Sequence, residues 1–90
     1  FRNLLIVGTG RRARAFITQI NHRREFGLKI VSVIDPDKSR VGETVCGHPV
    51  VGTLDDIPDI LINTAIDNVI FIVPRSSLND IEKHYGHSAS

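Results

Sequence analysis

Asn3-Leu4-Leu5-Ile6-Val7-Gly8-Thr9-Gly10-Arg11-Arg12-Ala13-Arg14 is the stretch that decides how this chain folds. It opens as an unbroken apolar run ending at Gly8, the pattern of a parallel strand covered on both faces. Gly8-Thr9-Gly10 then forms a tight turn. From Arg11 onward Ala13, Phe16, Ile17 and Ile20 recur at i, i+3, i+4 and i+7, which places them on one face of a helix. Arg11, Arg12, Arg14, Gln19, Asn21 and His22 take the other faces. The helix is expected to stop near Gly27, a good left-handed cap, with His22, Arg23 and Arg24 at its negative end.

Outward from that stretch the same alternation continues. Leu28–Ile34 (LKIVSVI) is rich in β-branched residues and ends at Asp35-Pro36, where proline stops the strand. Residues 36–48, with Gly42, Gly47 and mixed charges, read as a loop holding at most one irregular helical turn. His48–Val51 reads as a short strand. Thr53 and Asp56 have capping-box spacing, and a two-turn helix is expected from Pro58 to about Thr64, burying Ile57, Ile60 and Leu61. Asn68–Val73 (NVIFIV) is a further strand, closed by Pro74. A last short helix carries Leu78, Ile81 and Tyr85 on one face and ends at Gly86, which sets a domain over residues 1–86 and a polar tail over 87–90.

Strands alternating with helices imply an α/β fold with right-handed crossovers and helices on both faces of a parallel sheet. The expected architecture is a truncated Rossmann-like sheet of three to four strands in the order 3-2-1-4, its fourth strand presenting an open edge.

Composition narrows the function classes. Ninety residues hold one small domain, too short for a two-domain enzyme. The chain begins at Phe1 and reads as a processed chain or an excised piece of a longer one. The single cysteine, Cys46, excludes an internal disulfide and a multi-cysteine zinc site. With four Phe, one Tyr and no Trp, an aromatic platform for stacking nucleic-acid bases is not expected, and no nucleic-acid partner is inferred. No apolar run approaches the roughly 20 residues of a membrane-spanning helix, and the opening residues do not read as a signal peptide. Charge is divided unevenly: residues 1–40 carry nine Lys/Arg against three Asp/Glu, and residues 41–90 carry two against seven. The local cationic excess surrounds Arg11, Arg12 and Arg14, directly after the glycine pair.

Gly8-x-Gly10-x-x-Ala13 stands where a strand feeds a helix, the context that gives such spacing meaning. Gly8 permits a sharp reversal, Gly10 lets a ligand approach the backbone, and Ala13 keeps the helix close to the sheet. The amides of about Gly10–Arg12 would project from the positive helix end toward a phosphate. Thr9 would add a hydroxyl contact, and Arg11, Arg12 or Arg14 would pair with phosphate oxygens. Asp35 closes the second strand 25 residues after Gly10, near the usual spacing of about 20 for an acid that binds ribose hydroxyls. The plainer alternatives remain: glycines serving only the turn, arginines as a solvated face, and Asp35 as a turn former. No metal set emerges from His22, Cys46, His48 or His84-x-x-His87. No catalytic set emerges either, since Ser76 and Ser77 read as helix caps and Asp55, Asp56 and Asp59 suit a helix start.

Arg2–Arg14, Val31–Asp35, Gly47–Gly52 with Leu54–Ile57, and Ile66–Pro74 occur in this order in a known family. They resemble the CoA-binding-like, Rossmann-type domain of bacterial polyprenyl-phosphate sugar-phosphate transferases. Those enzymes start exopolysaccharide or O-antigen units by moving a sugar phosphate from a nucleotide sugar to undecaprenyl phosphate. The resemblance implies a non-catalytic nucleotide-recognition or regulatory module. It would be a cytoplasmic part of a protein anchored in the bacterial inner membrane by segments outside this chain. Candidate ligands are NAD, a UDP-sugar or CoA, held at Gly8, Thr9, Gly10, Arg11, Arg12 and Asp35. One alternative is the cofactor-binding half of an NAD-dependent nucleotide-sugar epimerase or dehydrogenase. Another is a structural module that pairs with a second copy.

Overall fold

The structure, a computed structural model, describes residues 1–73; the expected Leu78/Ile81/Tyr85 helix, its end at Gly86 and the 87–90 tail lie outside the described residues. The elements run β1 (Arg2–Val7), α1 (Arg11–His22), β2 (Leu28–Ile34), β3 (Thr44–Val45), β4 (His48–Pro49), α2 (Ile57–Asn63) and β5 (Asn68–Phe71), with single 3-10 turns at Arg24–Phe26, Lys38–Arg40 and Leu54–Asp56.

β1 is paired on both sides in a parallel sheet of order β2-β1-β5. That is the expected 2-1-4 part of the order, with β5 as the fourth strand. The third strand is reduced. His48–Pro49 instead pairs antiparallel with Thr44–Val45 in a hairpin, and the chain then touches β2 through one parallel bridge, Val33 to Val50. The amides of Val51 and Asp35 extend that contact, donating to the carbonyls of Val33 and Gly52 at 3.0 and 3.2 Å. Of the expected His48–Val51 strand only His48–Pro49 is regular, and its partner Thr44–Val45 lies in the segment expected as loop, where two residues are too short to show alternation. Its turn residues, Cys46 and Gly47, both have positive φ (51° and 88°), as the tight turns of two-residue hairpins require.

Both faces of β1 are sealed. Leu4 and Ile6 pack under α1 with Ile17, Ile20, Ile30, Val33, Val45 and Val50, while Leu5 and Val7 pack with Ile34 and Leu54 on the other face. A register shift between Leu4 and Leu5 leaves Val31 as an extra residue in β2. Strict alternation would set Ile30 and Val33 on opposite faces. The bulge resets the count, so these two share the α1 face and Ile34 turns to the other.

α1 buries Ala13, Ile17 and Ile20 as the spacing requires, but ends at His22, and the chain takes a 3-10 turn before Gly27 (φ +66°). α2 begins one residue before Pro58, behind a turn in which the Thr53 amide donates to Asp56 Oδ2 at 2.8 Å. Burial by α2 is shallower than expected. Ile57 and Ile60 are half-buried against the Leu5, Val7, Ile34 and Leu54 cluster, whereas Leu61 is exposed and Ile62 is 79% exposed, so α2 meets the sheet through its Ile57/Ile60 side.

Leu5 and Ile62 therefore separate core from surface within one protein. Leu5→Ala is expected to cost about 2–5 kcal/mol in urea unfolding, and Ile62→Ala to stay within about 0.5 kcal/mol of the parent chain.

Candidate nucleotide-binding site

The site sits where β1 hands over to α1. Gly8 has φ +134°, and a Cβ placed on it would overlap the carbonyl oxygen of Ile72, so only glycine lets the turn lie on the chain beyond β5. The Gly8 amide donates to the Ile34 carbonyl at 2.8 Å, and the Ile72 amide donates to the Val7 carbonyl at 2.8 Å. The turn is thus tied to both neighbouring strands.

Gly10 is a different kind of glycine. It is the N-cap of α1 with φ −76°, ψ −172°, a conformation open to any residue, and nothing lies within 4 Å of the place a Cβ would occupy. Fold geometry does not demand glycine there. With no capping side chain on Gly10 and no acid in the first turn, the leading amides of α1 receive no side-chain cap and face outward at the positive end of a 12-residue helix.

Two cavities meet at Gly10. One, of about 470 Å³, is lined by Gly10, Arg11, Arg12, Ile72 and Val73. The other, of about 200 Å³, runs toward the end of β2 and is lined by Gly8, Thr9, Gly10, Asp35, Pro36, Asp37, Arg40, Ile72 and Val73. The structure thus gathers Gly8, Thr9, Gly10 and Asp35 around one space and Arg11 and Arg12 around the next, with Gly10, Ile72 and Val73 common to both.

Some expected roles shift in detail. The Thr9 hydroxyl, expected to reach a ligand, instead donates to Asp35 Oδ2 at 2.8 Å in a buried bond. Asp35 Oδ1 accepts the Asp37 amide at 2.8 Å, so each oxygen of this carboxylate, in a residue only 8% exposed, already holds one donor. Each retains a further lone pair for a hydroxyl. Arg14 lines neither cavity; its Nε donates to the Thr9 carbonyl at 3.0 Å and steadies the turn. The Asp37 carboxyl accepts from the Ser39 hydroxyl and amide, and these bonds hold it below the usual carboxylate range.

Arg40 and the Ile72-Val73 pair were not singled out from sequence. Arg40 lay in a segment of mixed charge with no periodicity. Ile72 and Val73 were legible in principle, because the expected strand order brings the end of the last strand beside β1. Arg40 makes an exposed pair with Glu43 at 3.4 Å, a contact contributing about 0–1 kcal/mol, which leaves the guanidinium free to reorient. Among the described residues no group of three or more His, Cys, Asp or Glu is placed to hold a metal ion, and no helix is long and apolar enough to cross a membrane.

This is the arrangement of a nucleotide-binding Rossmann-type domain. Residues 2–84 match the CoA binding domain family, and the chain belongs to that family. Among solved structures it is similar to RSP, a Rex-family repressor (TM-score 0.72, 18% identity), and to RSP in complex with β-NADH (TM-score 0.71, 18% identity). Each comparison covers 96% of this chain and 42% of the repressor chain, so the chain spans less than half the length of these proteins. Comparison with curated proteins gives no match.

These findings correct the expected setting. The CoA-binding, Rossmann-type part of the resemblance holds, but the similar structures are Rex-family repressors. They overturn the assignment to a membrane-bound sugar-phosphate transferase and lend no support to its exopolysaccharide, undecaprenyl-phosphate and membrane associations.

The two glycines predict opposite outcomes. Gly8→Ala is expected to destabilise the fold by about 2–5 kcal/mol through strain and overlap with the Ile72 carbonyl. Gly10→Ala is expected to remain folded, within about 1 kcal/mol of the parent in thermal or urea unfolding.

Proposed function

We propose that this chain is the dinucleotide-binding domain of a regulatory protein, with NADH as its ligand. Gly10 carries this reading. A glycine that the backbone does not need, with open space at its Cβ position, stands at an uncapped helix start between two cavities. Such a residue is suited to a ligand that passes close to the main chain. A diphosphate is the group that fits: its charge meets the leading amides of α1 and the Arg11 and Arg12 side chains. The smaller cavity, ending at Asp35, then suits a ribose, and the larger one receives the opposite arm. The similar fold of a Rex-family repressor in complex with β-NADH supports the choice of ligand and the regulatory role. The chain's own part is to bind and orient; the redox chemistry belongs to the nicotinamide.

CoA is the second reading, favoured by the family match. It shares the adenosine diphosphate portion but carries an additional phosphate on its ribose, which would bring negative charge beside Asp35 and Asp37 and within reach of Arg40.

Titration calorimetry with NADH and CoA separates the two. Saturable NADH binding is expected, weakened at least about tenfold by Gly10→Ala and weakened further as salt rises, because exposed Arg11 and Arg12 are screened. No heat with NADH, together with saturation by CoA, would assign the site to CoA instead.

A further inference from the structure

Thr9 lies at the middle of the glycine turn, where a side chain facing the ligand would be expected, yet it is only 5% exposed. Its hydroxyl donates across 26 residues of sequence to Asp35 Oδ2, at 2.8 Å. The other oxygen of that carboxylate accepts the Asp37 amide, also at 2.8 Å. Asp35 therefore joins two loops that share no secondary structure: the turn leading into α1 and the chain leaving β2. Both loops wall the smaller cavity. On its other side the Thr9 carbonyl is held by Arg14 Nε at 3.0 Å. Main-chain bonds tie the turn at Gly8, but from Thr9 onward this side-chain bond is what the described residues offer to set the turn against the end of β2.

We propose that Thr9 is a positioning residue, acting through Asp35 to hold the amides of Gly10–Arg12 and the Asp35–Asp37 wall in one fixed relation, so that the phosphate-facing and sugar-facing parts of a nucleotide are met together. The proposal rests on the nucleotide-binding reading above. Its physical basis is pre-organisation: a ligand touching two walls gains full affinity only when the walls stand at the right separation before it arrives. Valine has nearly the shape of threonine and no hydroxyl. It would keep the packing and leave Asp35 Oδ2 buried without its donor, so the carboxylate would reorient and the turn would lose its lateral hold.

The test uses the full chain and four variants: Thr9→Val, Thr9→Ser, Asp35→Asn, and Thr9→Val combined with Asp35→Asn. Dissociation constants for NADH and for CoA are measured well below each variant's melting midpoint, so that only folded chain is titrated and a loss of stability alone does not register. Thr9→Val is expected to weaken the probe that the parent chain binds by about tenfold, and Thr9→Ser to stay within about twofold, because its hydroxyl can reach the same oxygen. The double variant is expected to be no weaker than the weaker single, since both changes remove one bond. Parent-like binding by Thr9→Val overturns the proposal. So does Thr9→Ser as weak as Thr9→Val, which would place the effect on the methyl group, and so do fully additive losses in the double variant. A parent chain that binds CoA but not NADH overturns the NADH reading alone, and the Thr9 series is then judged on CoA. A parent chain that binds neither overturns both.

Discussion

The close approach of Gly8 to the Ile72 carbonyl is the constraint on which the site depends. β1 is hydrogen-bonded to β2 on one side and β5 on the other, and its last bonds reach Ile34 and Ile72 just beyond the regular ladder. A side chain at Gly8 would push β5 away from the turn. Without one, the chain reverses directly over the carboxyl ends of three parallel strands and starts α1 there. The positive end of the helix, the end of β2 with its buried acid, and Ile72-Val73 then converge on one place. Ligands of open α/β sheets bind at the carboxyl ends of strands for this reason.

The rest of the fold holds that corner still. Each face of β1 has its own small core, and Leu4, Leu5, Ile6 and Val7 are all at most 1% exposed. A domain of this size has little apolar area to spare, so sealing both faces of the central strand matters more than extending the sheet. The bulge at Val31 serves the same end: it turns both Ile30 and Val33 toward α1, where the hairpin residue Val45 and the bridging Val50 complete the packing. Side-chain bonds at the opposite end of β1 add to the hold. The Asn3 amide donates to Asp67 Oδ2 at 2.6 Å, and Asn3 Nδ2 donates to the Ala65 carbonyl at 2.8 Å.

Local pattern carried most of this. β1, α1 and β2 are legible because their apolar periodicity is long enough to distinguish a period of two or none from one of 3.6. The strand order followed from chain connectivity. What escaped the sequence depended on contacts distant along it. The Val31 bulge breaks alternation without a glycine or proline to announce it. α2 meets the Leu5/Val7 cluster with Ile57 and Ile60 and leaves Leu61 exposed, a choice of face that its apolar run does not distinguish. Among the candidate site residues, Gly8, Gly10, Arg11, Arg12 and Asp35 do gather at one corner. That Thr9 turns inward to Asp35, and Arg14 back to the Thr9 carbonyl, could not be read from spacing, because both depend on side-chain rotamers that residue spacing does not encode. Motif order does not carry the setting of the domain: it resembles that of membrane sugar-phosphate transferases, whereas the solved structures to which the chain is similar are Rex-family repressors.

Gly10 leaves open space at the start of α1, and Thr9 ties the same turn to Asp35; on our proposal this corner receives an anion. Amide chemical shifts report on that corner directly. In a ¹⁵N-labelled chain titrated with NADH, the account expects the largest shifts at Gly10, Arg11 and Arg12, with smaller ones at Asp35 and Asp37. Saturating NADH that leaves these amides unmoved, or that shifts residues at the opposite end of the sheet such as Asn3 and Asp67, would contradict it.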